Sequence, residues 1–256
     1  MIEIFLEGLF KERTYSSLFP LPIGNDFNWI RLITPLPMRT FVTSDIHGNN
    51  EAFNKALKHI QLQKDDKLIL LGDYIDRGVD SKGVLDTILY LKEQDFNLVC
   101  LIGNHEQMFL DAINDHRNLS QWIMNGGDTT LSSFLTRSIH KIPIQYIDLI
   151  KSFNYYYEDG KYIFVHAALN MFNENPFDDL ETILWSREPD WLLNEAWLKD
   201  RTLIHGHSPT EAKLIIESVQ NRRNIICIDN GSFVKREGFG NICVLQLENF
   251  SIEFIQ

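Results

Sequence analysis

The chain has 256 residues, 44% of them hydrophobic and 23% charged, enough apolar material for a sizeable core, which excludes disorder as the resting state. Acids outnumber bases 35 to 24, giving a formal net charge of -11 that repels phosphate backbones and excludes a general nucleic-acid binder. No run approaches the ~18 consecutive apolar residues of a membrane span, and the opening "MIEIFLEGLFKERTY" lacks the basic stretch of a signal peptide.

Residues 1–37 form an arm of separate composition. Ile2, Phe5, Leu6, Leu9 and Phe10 follow helical spacing, with Glu3, Glu7 and Lys11 on the other face. The remainder, with "FPLPIGNDFNW" and "TPLP", reads as irregular chain. The arm is expected to pack on the protein's own body, with a partner-binding helix as the alternative. Residues 38–256 are expected to form the catalytic domain. There "TFVTSD" (40–45), "KLILLGD" (67–73) and "NLVCLIG" (97–103) read as strands, each followed by a helix, near 50–62, 81–94 and 105–116. This βαβαβ rhythm implies parallel strands with helical crossovers. After residue 160 short strands follow, "YIFVHA", "TLIHGH", "NIICIDN", "ICVLQLE" and "IEFI", a half that reads as an antiparallel or mixed sheet. Cys100, Cys227 and Cys243 lie inside apolar runs, without disulfide or zinc spacing, which suits a reducing cytoplasm.

In open α/β sheets functional groups collect at the carboxyl ends of strands. Here those ends carry "SDIHG" (44–48), "GDYIDRG" (72–78), "GNHE" (103–106), "VHAAL" (165–169) and "HGHSP" (205–209). Singly each reads as a turn or loop. Together they form a set of carboxylate, imidazole and amide groups large enough for two ions. Mixed nitrogen and oxygen donors suit Mn²⁺, Fe or Zn²⁺ better than the all-oxygen cages of Ca²⁺.

In this order the motifs resemble the phosphoprotein phosphatase family of metallophosphoesterases. "GNHEQMFLDAI", the following "W" and "NGG" (125–127), "WSRE" (185–188) and "IDNGS" (228–232) resemble especially its bacterial and bacteriophage serine/threonine phosphatase branch. The resemblance covers about residues 38–248. It implies the calcineurin-like α/β fold, two mixed β-sheets packed as a sandwich and flanked by helices. It also implies two divalent ions, Mn²⁺ first. Asp45 and His47 would bind one ion, Asp73 would bridge both, and Asn104, His166 and His207 would complete the second site. A water held between the ions would attack phosphorus in line. Arg77 and Arg187 would clamp phosphate, and His105, held by Asp76, would protonate the leaving group. The alternative role for Arg187 is a surface ion pair with Glu188.

His205, two residues before His207, is expected beside the ligand set, and His59, His116 and His140 on the surface. Trp122 and the "NGG" segment read either as substrate rim or as a packed indole beside a turn. Ser44, where many relatives carry Gly, and Ala167 and Ala168, where eukaryotic members carry Gly-Gly, remove no ligand. The expected activity is hydrolysis of phosphoserine and phosphothreonine, with phosphotyrosine in reach, on a phosphoprotein or small phosphoester. The alternatives are a symmetrical dinucleoside tetraphosphate hydrolase and a non-catalytic binding module.

Overall fold

The computed structural model describes residues 14–23, 26–35, 38–187 and 189–256. Within the arm, β1 (Thr14–Ile23) pairs antiparallel with β2 (Asp26–Pro35), from Thr14 opposite Pro35 to Ile23 opposite Asp26. This corrects the reading of that stretch as irregular chain, which rested on its prolines. In a two-stranded hairpin both strands are edges, where a proline's missing N–H can face away from the ladder. Gly24-Asn25 between the runs is a two-residue hairpin signal. The helix expected over residues 2–11 lies outside the described residues.

The alternating half folds as expected. β3 (Thr40–Thr43), β4 (Lys67–Leu70) and β5 (Asn97–Cys100) are parallel neighbours. They are joined through α1 (Asn50–His59) and α2 (Ser81–Glu93). Each helix starts on a side chain that accepts a free first-turn N–H: Asn49 from Ala52 and Asp80 from Gly83. α1 buries Ala52, Phe53, Ala56 and Leu57 and leaves Glu51 and Lys55 in solvent, the stripe that a 3.6-residue period produces.

Next come α3 (Asn104–Asn114), α4 (Leu119–Trp122), α5 (Asp128–Ser133) and α6 (Ile144–Lys151). β6 (Tyr156–Asp159) and β7 (Tyr162–Val165) open a second sheet, completed by β8 (Thr202–His205) and β9 (Ile225–Cys227). α7 (Leu180–Trp185) and α8 (Glu195–Leu198) precede β8, and α9 (Ala212–Gln220) follows it. β10 (Ile242–Gln246) and β11 (Ser251–Ile255) end the chain.

The strand orders are β11-β10-β3-β4-β5 and β6-β7-β8-β9. The later strands therefore divide between the two sheets, β7–β9 with β6 in one and β10 and β11 in the other. β10 returns to pair antiparallel with β3, whereas β7, β8 and β9 run parallel. Both sheets are mixed, and alternation along each strand decides what faces what. Val42, Ile69, Phe164, Ile204, Ile226 and Leu245 meet in one buried cluster between the sheets. Phe41, Leu68 and Leu70 pack against α1, α2 and α3 on one outer face, and Ile163, Val165 and Leu203 against Ile183 and Leu198 on the other. The result is a β-sandwich with helices on both outer faces. It gathers the carboxyl ends of β3, β4, β5, β7 and β8 at one edge.

Candidate metal centre

The loops at that edge are bound to one another before any ligand is considered. Ile46 and His47 both donate their N–H to the Asp73 carbonyl, at 2.9 and 2.8 Å, and Gly206 donates to the His166 carbonyl at 2.8 Å. The chain turns so tightly here that His47, Asp73, Asp76, Arg77 and His207 have positive φ, between 46° and 71°. Such backbone costs of order 1–3 kcal/mol per residue and persists only where the surroundings impose it. At Gly72, with φ 106°, a Cβ would stand 2.7 Å from Gly103 N and 2.9 Å from His166 Nδ1, so no side chain fits.

The inward atoms form two groups that share Asp73. One Asp73 oxygen, Oδ2, lies 3.4 Å from His47 Nε2, and the other, Oδ1, lies 3.5 Å from His166 Nε2. Asp45 Oδ2 stands 4.0 Å from His47 Nε2. The other Asp45 oxygen is occupied, accepting the Ser44 hydroxyl and the His207 N–H. Asn104 Oδ1 is 3.0 Å from both His166 Nε2 and His207 Nδ1, which are 3.2 Å from each other.

The outer nitrogen of each imidazole settles what the inner one offers. His47 Nδ1 donates to Ile75 O at 3.0 Å, His166 Nδ1 to Leu71 O at 2.9 Å and His207 Nε2 to Trp185 O at 3.2 Å. With the proton on that side, the inward nitrogens present lone pairs, the arrangement that metal-binding histidines adopt. Three acceptors, Asn104 Oδ1, His166 Nε2 and His207 Nδ1, thus converge with no hydrogen to share. A cation is the group that such a set fits.

Charge points the same way. Burial, then Asp45 and Glu106, push the Asp73 carboxyl well above the usual range, and burial with Asp45 does the same to Asp229. Burial keeps the imidazoles neutral, and His207, also facing His166 and Arg187, is pulled down to about 2. Carboxylates packed beside neutral imidazoles lack positive charge, which divalent ions supply.

His105 sits next to Asn104 and faces elsewhere. Its Nδ1–H donates to Asp76 Oδ2 at 2.8 Å, and its buried Nε2 has no hydrogen-bond partner among the described residues. Nε2 lies 3.9 Å from Asp73 Oδ2, close enough to join the His47 group. Arg77 donates from Nη1 to His47 Nε2 at 2.9 Å while its guanidinium lies over Phe233, 4.4 Å from the ring centroid. Arg187 reaches the opposite side, donating from Nη1 to His207 O at 3.2 Å. Its alternative partner, Glu188, lies outside the described residues.

All ten expected site residues therefore stand at this edge. His205 is buried beside it but belongs to neither candidate group, and His59, His116 and His140 are exposed. Sequence reasoning missed the partners behind the site. Of the two readings of Trp122 the packed indole beside the turn holds, and the partner that the sequence did not show is Asp76, whose Oδ2 accepts the indole N–H at 2.9 Å. Glu106 accepts four backbone N–H groups, from Asp73, Tyr74, Ile75 and Gly103. Asp229, inside the quoted "IDNGS", holds Gly231 N–H with one oxygen and leaves the other buried without a hydrogen-bond partner among the described residues.

Known proteins agree with this geometry. The 31%-identical serine/threonine-protein phosphatase 1 of Salmonella typhimurium aligns over 153 residues, 58% of this chain and 68% of that protein. A symmetrical bis(5'-nucleosyl)-tetraphosphatase of Nitrosospira multiformis is 27% identical over 133 residues, 52% of this chain and 44% of the relative. The crystal structure of the cold-active protein-tyrosine phosphatase of a psychrophilic Shewanella superposes with a TM-score of 0.54 at 16% identity. It covers 93% of this chain and 90% of its own, a likeness of fold. The family model described as calcineurin-like phosphoesterase matches residues 38–235. Its donor set and its sequence together place the chain in the calcineurin-like phosphoesterase family, as a metallophosphoesterase.

Proposed function

We propose that this chain is a two-metal phosphomonoesterase that removes phosphate from phosphoserine and phosphothreonine in proteins, with phosphotyrosine within its range. The observation that carries the reading is the divided Asp73 carboxylate, one oxygen toward His47 and one toward His166, flanked by two arginines. The Salmonella relative supports the substrate class. Residues 38–256 form the catalytic domain in this reading, with residues 1–37 outside the chemistry. Three free thiols suit a reducing compartment, the cytoplasm.

Asp45, His47 and Asp73 would hold one ion and Asp73, Asn104, His166 and His207 the other, with Mn²⁺, Fe and Zn²⁺ all compatible with the donors. Divalent ions held there supply Lewis acidity, offsetting phosphate charge and making water acidic enough to furnish a nucleophile at neutral pH. The protein's own groups do the rest. Arg77 and Arg187 offer planar N–H forks from opposite sides, the geometry that orients a tetrahedral phosphate. His105 Nε2 would take up a proton as the phosphate binds and pass it to the departing oxygen, and Asp76 fixes the ring through Nδ1. Burial, then Arg77 and His166, hold free His105 down to about 2, so the resting imidazole is neutral. A phosphate dianion bound beside Nε2 adds the negative charge that favours the protonated ring.

A second reading, hydrolysis of symmetrical dinucleoside tetraphosphates, is favoured by the Nitrosospira relative. Turnover of a phosphoserine peptide and of diadenosine tetraphosphate by the Mn²⁺-loaded protein separates the two. The peptide is expected to be the faster substrate, with activity abolished by chelation and restored by Mn²⁺. Faster cleavage of the dinucleotide overturns the phosphoprotein reading, and two bound ions without turnover of either substrate indicate a binding module.

A further inference from the structure

Asp76 and Arg77 are consecutive residues in left-handed backbone, with φ 71° and 67°, and Asp76 is wholly buried. Strain of this kind needs an external support. Ser81 Oγ accepts the Asp76 N–H at 3.0 Å, and the other supporting contacts come from one segment, residues 122–130, which runs through α4, a π-type turn over Ile123–Gly127, and α5. Trp122 donates its indole N–H to Asp76 Oδ2 at 2.9 Å. Thr130 donates its hydroxyl to Asp76 Oδ1 at 2.6 Å and accepts the Asp76 N–H at 3.0 Å. Gly126, with φ 107°, accepts the Arg77 N–H at 3.3 Å, and a Cβ there would stand 2.8 Å from Arg77 N.

Asp76 Oδ2 serves two donors at once, the Trp122 indole and the His105 imidazole. With Oδ1 held by Thr130, the carboxylate cannot turn without breaking one of these bonds. We propose that Trp122, Gly126 and Thr130 are positioning residues of the reaction. Trp122 and Thr130 fix Asp76 and through it the proton-bearing ring of His105. Gly126 fixes the backbone from which the Arg77 guanidinium reaches the site. One segment thereby sets the proton donor and a phosphate clamp relative to each other. The inference rests on the proposed role of His105.

That role makes the two halves of the segment separable. A proton donor matters most when the departing oxygen is strongly basic, whereas a phosphate clamp serves every phosphomonoester equally. The test measures kcat and KM of Mn²⁺-loaded variants on a phosphoserine peptide and on para-nitrophenyl phosphate, with metal content and Tm checked. Thr130→Val and Trp122→Phe are expected to lower kcat about tenfold on the peptide and less than about threefold on the nitrophenyl ester, with KM little changed. Thr130→Ser, which restores a hydroxyl, should recover the peptide rate. Gly126→Ala should lower kcat/KM equally on both substrates, the signature of a displaced clamp. His105→Asn is the control. If it shows the leaving-group bias while folded Thr130→Val and Trp122→Phe do not, the positioning role is overturned and the proton-donor reading stands. If His105→Asn itself shows equal losses on both substrates, the proton-donor reading falls and the inference with it. Unchanged kcat/KM in folded Gly126→Ala overturns the part assigned to Gly126.

Discussion

Glu106 is buried completely, and its carboxylate collects four backbone N–H groups. Oε1 accepts from Tyr74 at 2.8 Å and Ile75 at 3.2 Å, and Oε2 accepts from Asp73 at 2.9 Å and Gly103 at 3.0 Å. The first three donors belong to the loop that carries Asp73 to the metal centre, and the fourth opens α3. Glu106→Gln keeps the size and shape of the side chain and replaces one oxygen by an NH₂ group. Two backbone donors then face a donor, at roughly 1–3 kcal/mol for each unsatisfied group. An opposing effect reduces the loss. Burial, with Asp76 adding to it, pushes the Glu106 carboxyl up to about 7 despite its N–H bonds, so removing its charge relieves part of that cost. The expected net loss is about 2–3 kcal/mol. For a domain of this size that corresponds to roughly 4–12 °C in Tm. Urea and thermal unfolding followed by circular dichroism measure it, and kcat should fall as the Asp73 loop loosens. Glu106→Asp, shorter by one methylene, should be destabilised as well because it cannot span both sides of the loop. Stability of Glu106→Gln within about 0.5 kcal/mol of the parent, the ordinary range for an uninvolved surface change, would refute the argument.

Asp73→Asn removes a charge shared by both candidate ion groups, so both should weaken; turnover is expected to drop by about 10²-fold or more, beyond the loss typical of outer-shell changes. Metal analysis of that variant finding two tightly held ions and normal turnover would show the bridge misassigned. Phe164→Ala opens space between the sheets, where Phe164 is fully buried, and should cost about 3–5 kcal/mol in urea unfolding with the m-value unchanged. A protein beginning at Met38 should retain its turnover, since every motif follows that residue; a well-folded, metal-loaded form without activity would place the arm in the site.

The amino-acid sequence alone was enough to locate every strand of the sandwich but β6, and the groups at their ends. Buried strands are short apolar runs, and polar or imidazole residues recurring just past five such runs point to chemistry that one alone would not. Asp45, His47, Asp73, Asn104, His166 and His207 are legible as candidates because five such strand ends recur together, and their division between two ions is what the family resemblance implies. What the tertiary structure decided are the long-range pairings. That β10 returns to β3 depends on closing a sheet edge some 200 positions away in the chain, with Val244 opposite Thr43, and no local pattern encodes it. Trp122 and Thr130 meet Asp76 across 46 and 54 residues, and an indole N–H looks the same in a sequence whether it faces solvent or a buried carboxylate. Glu106 reads as an ordinary first-turn residue of α3 until four N–H groups are found around it. Candidate donors follow from residue type at a strand end. Ligand orientation follows from hydrogen bonds that exist only once distant segments pack, and those bonds hold this site in its strained backbone.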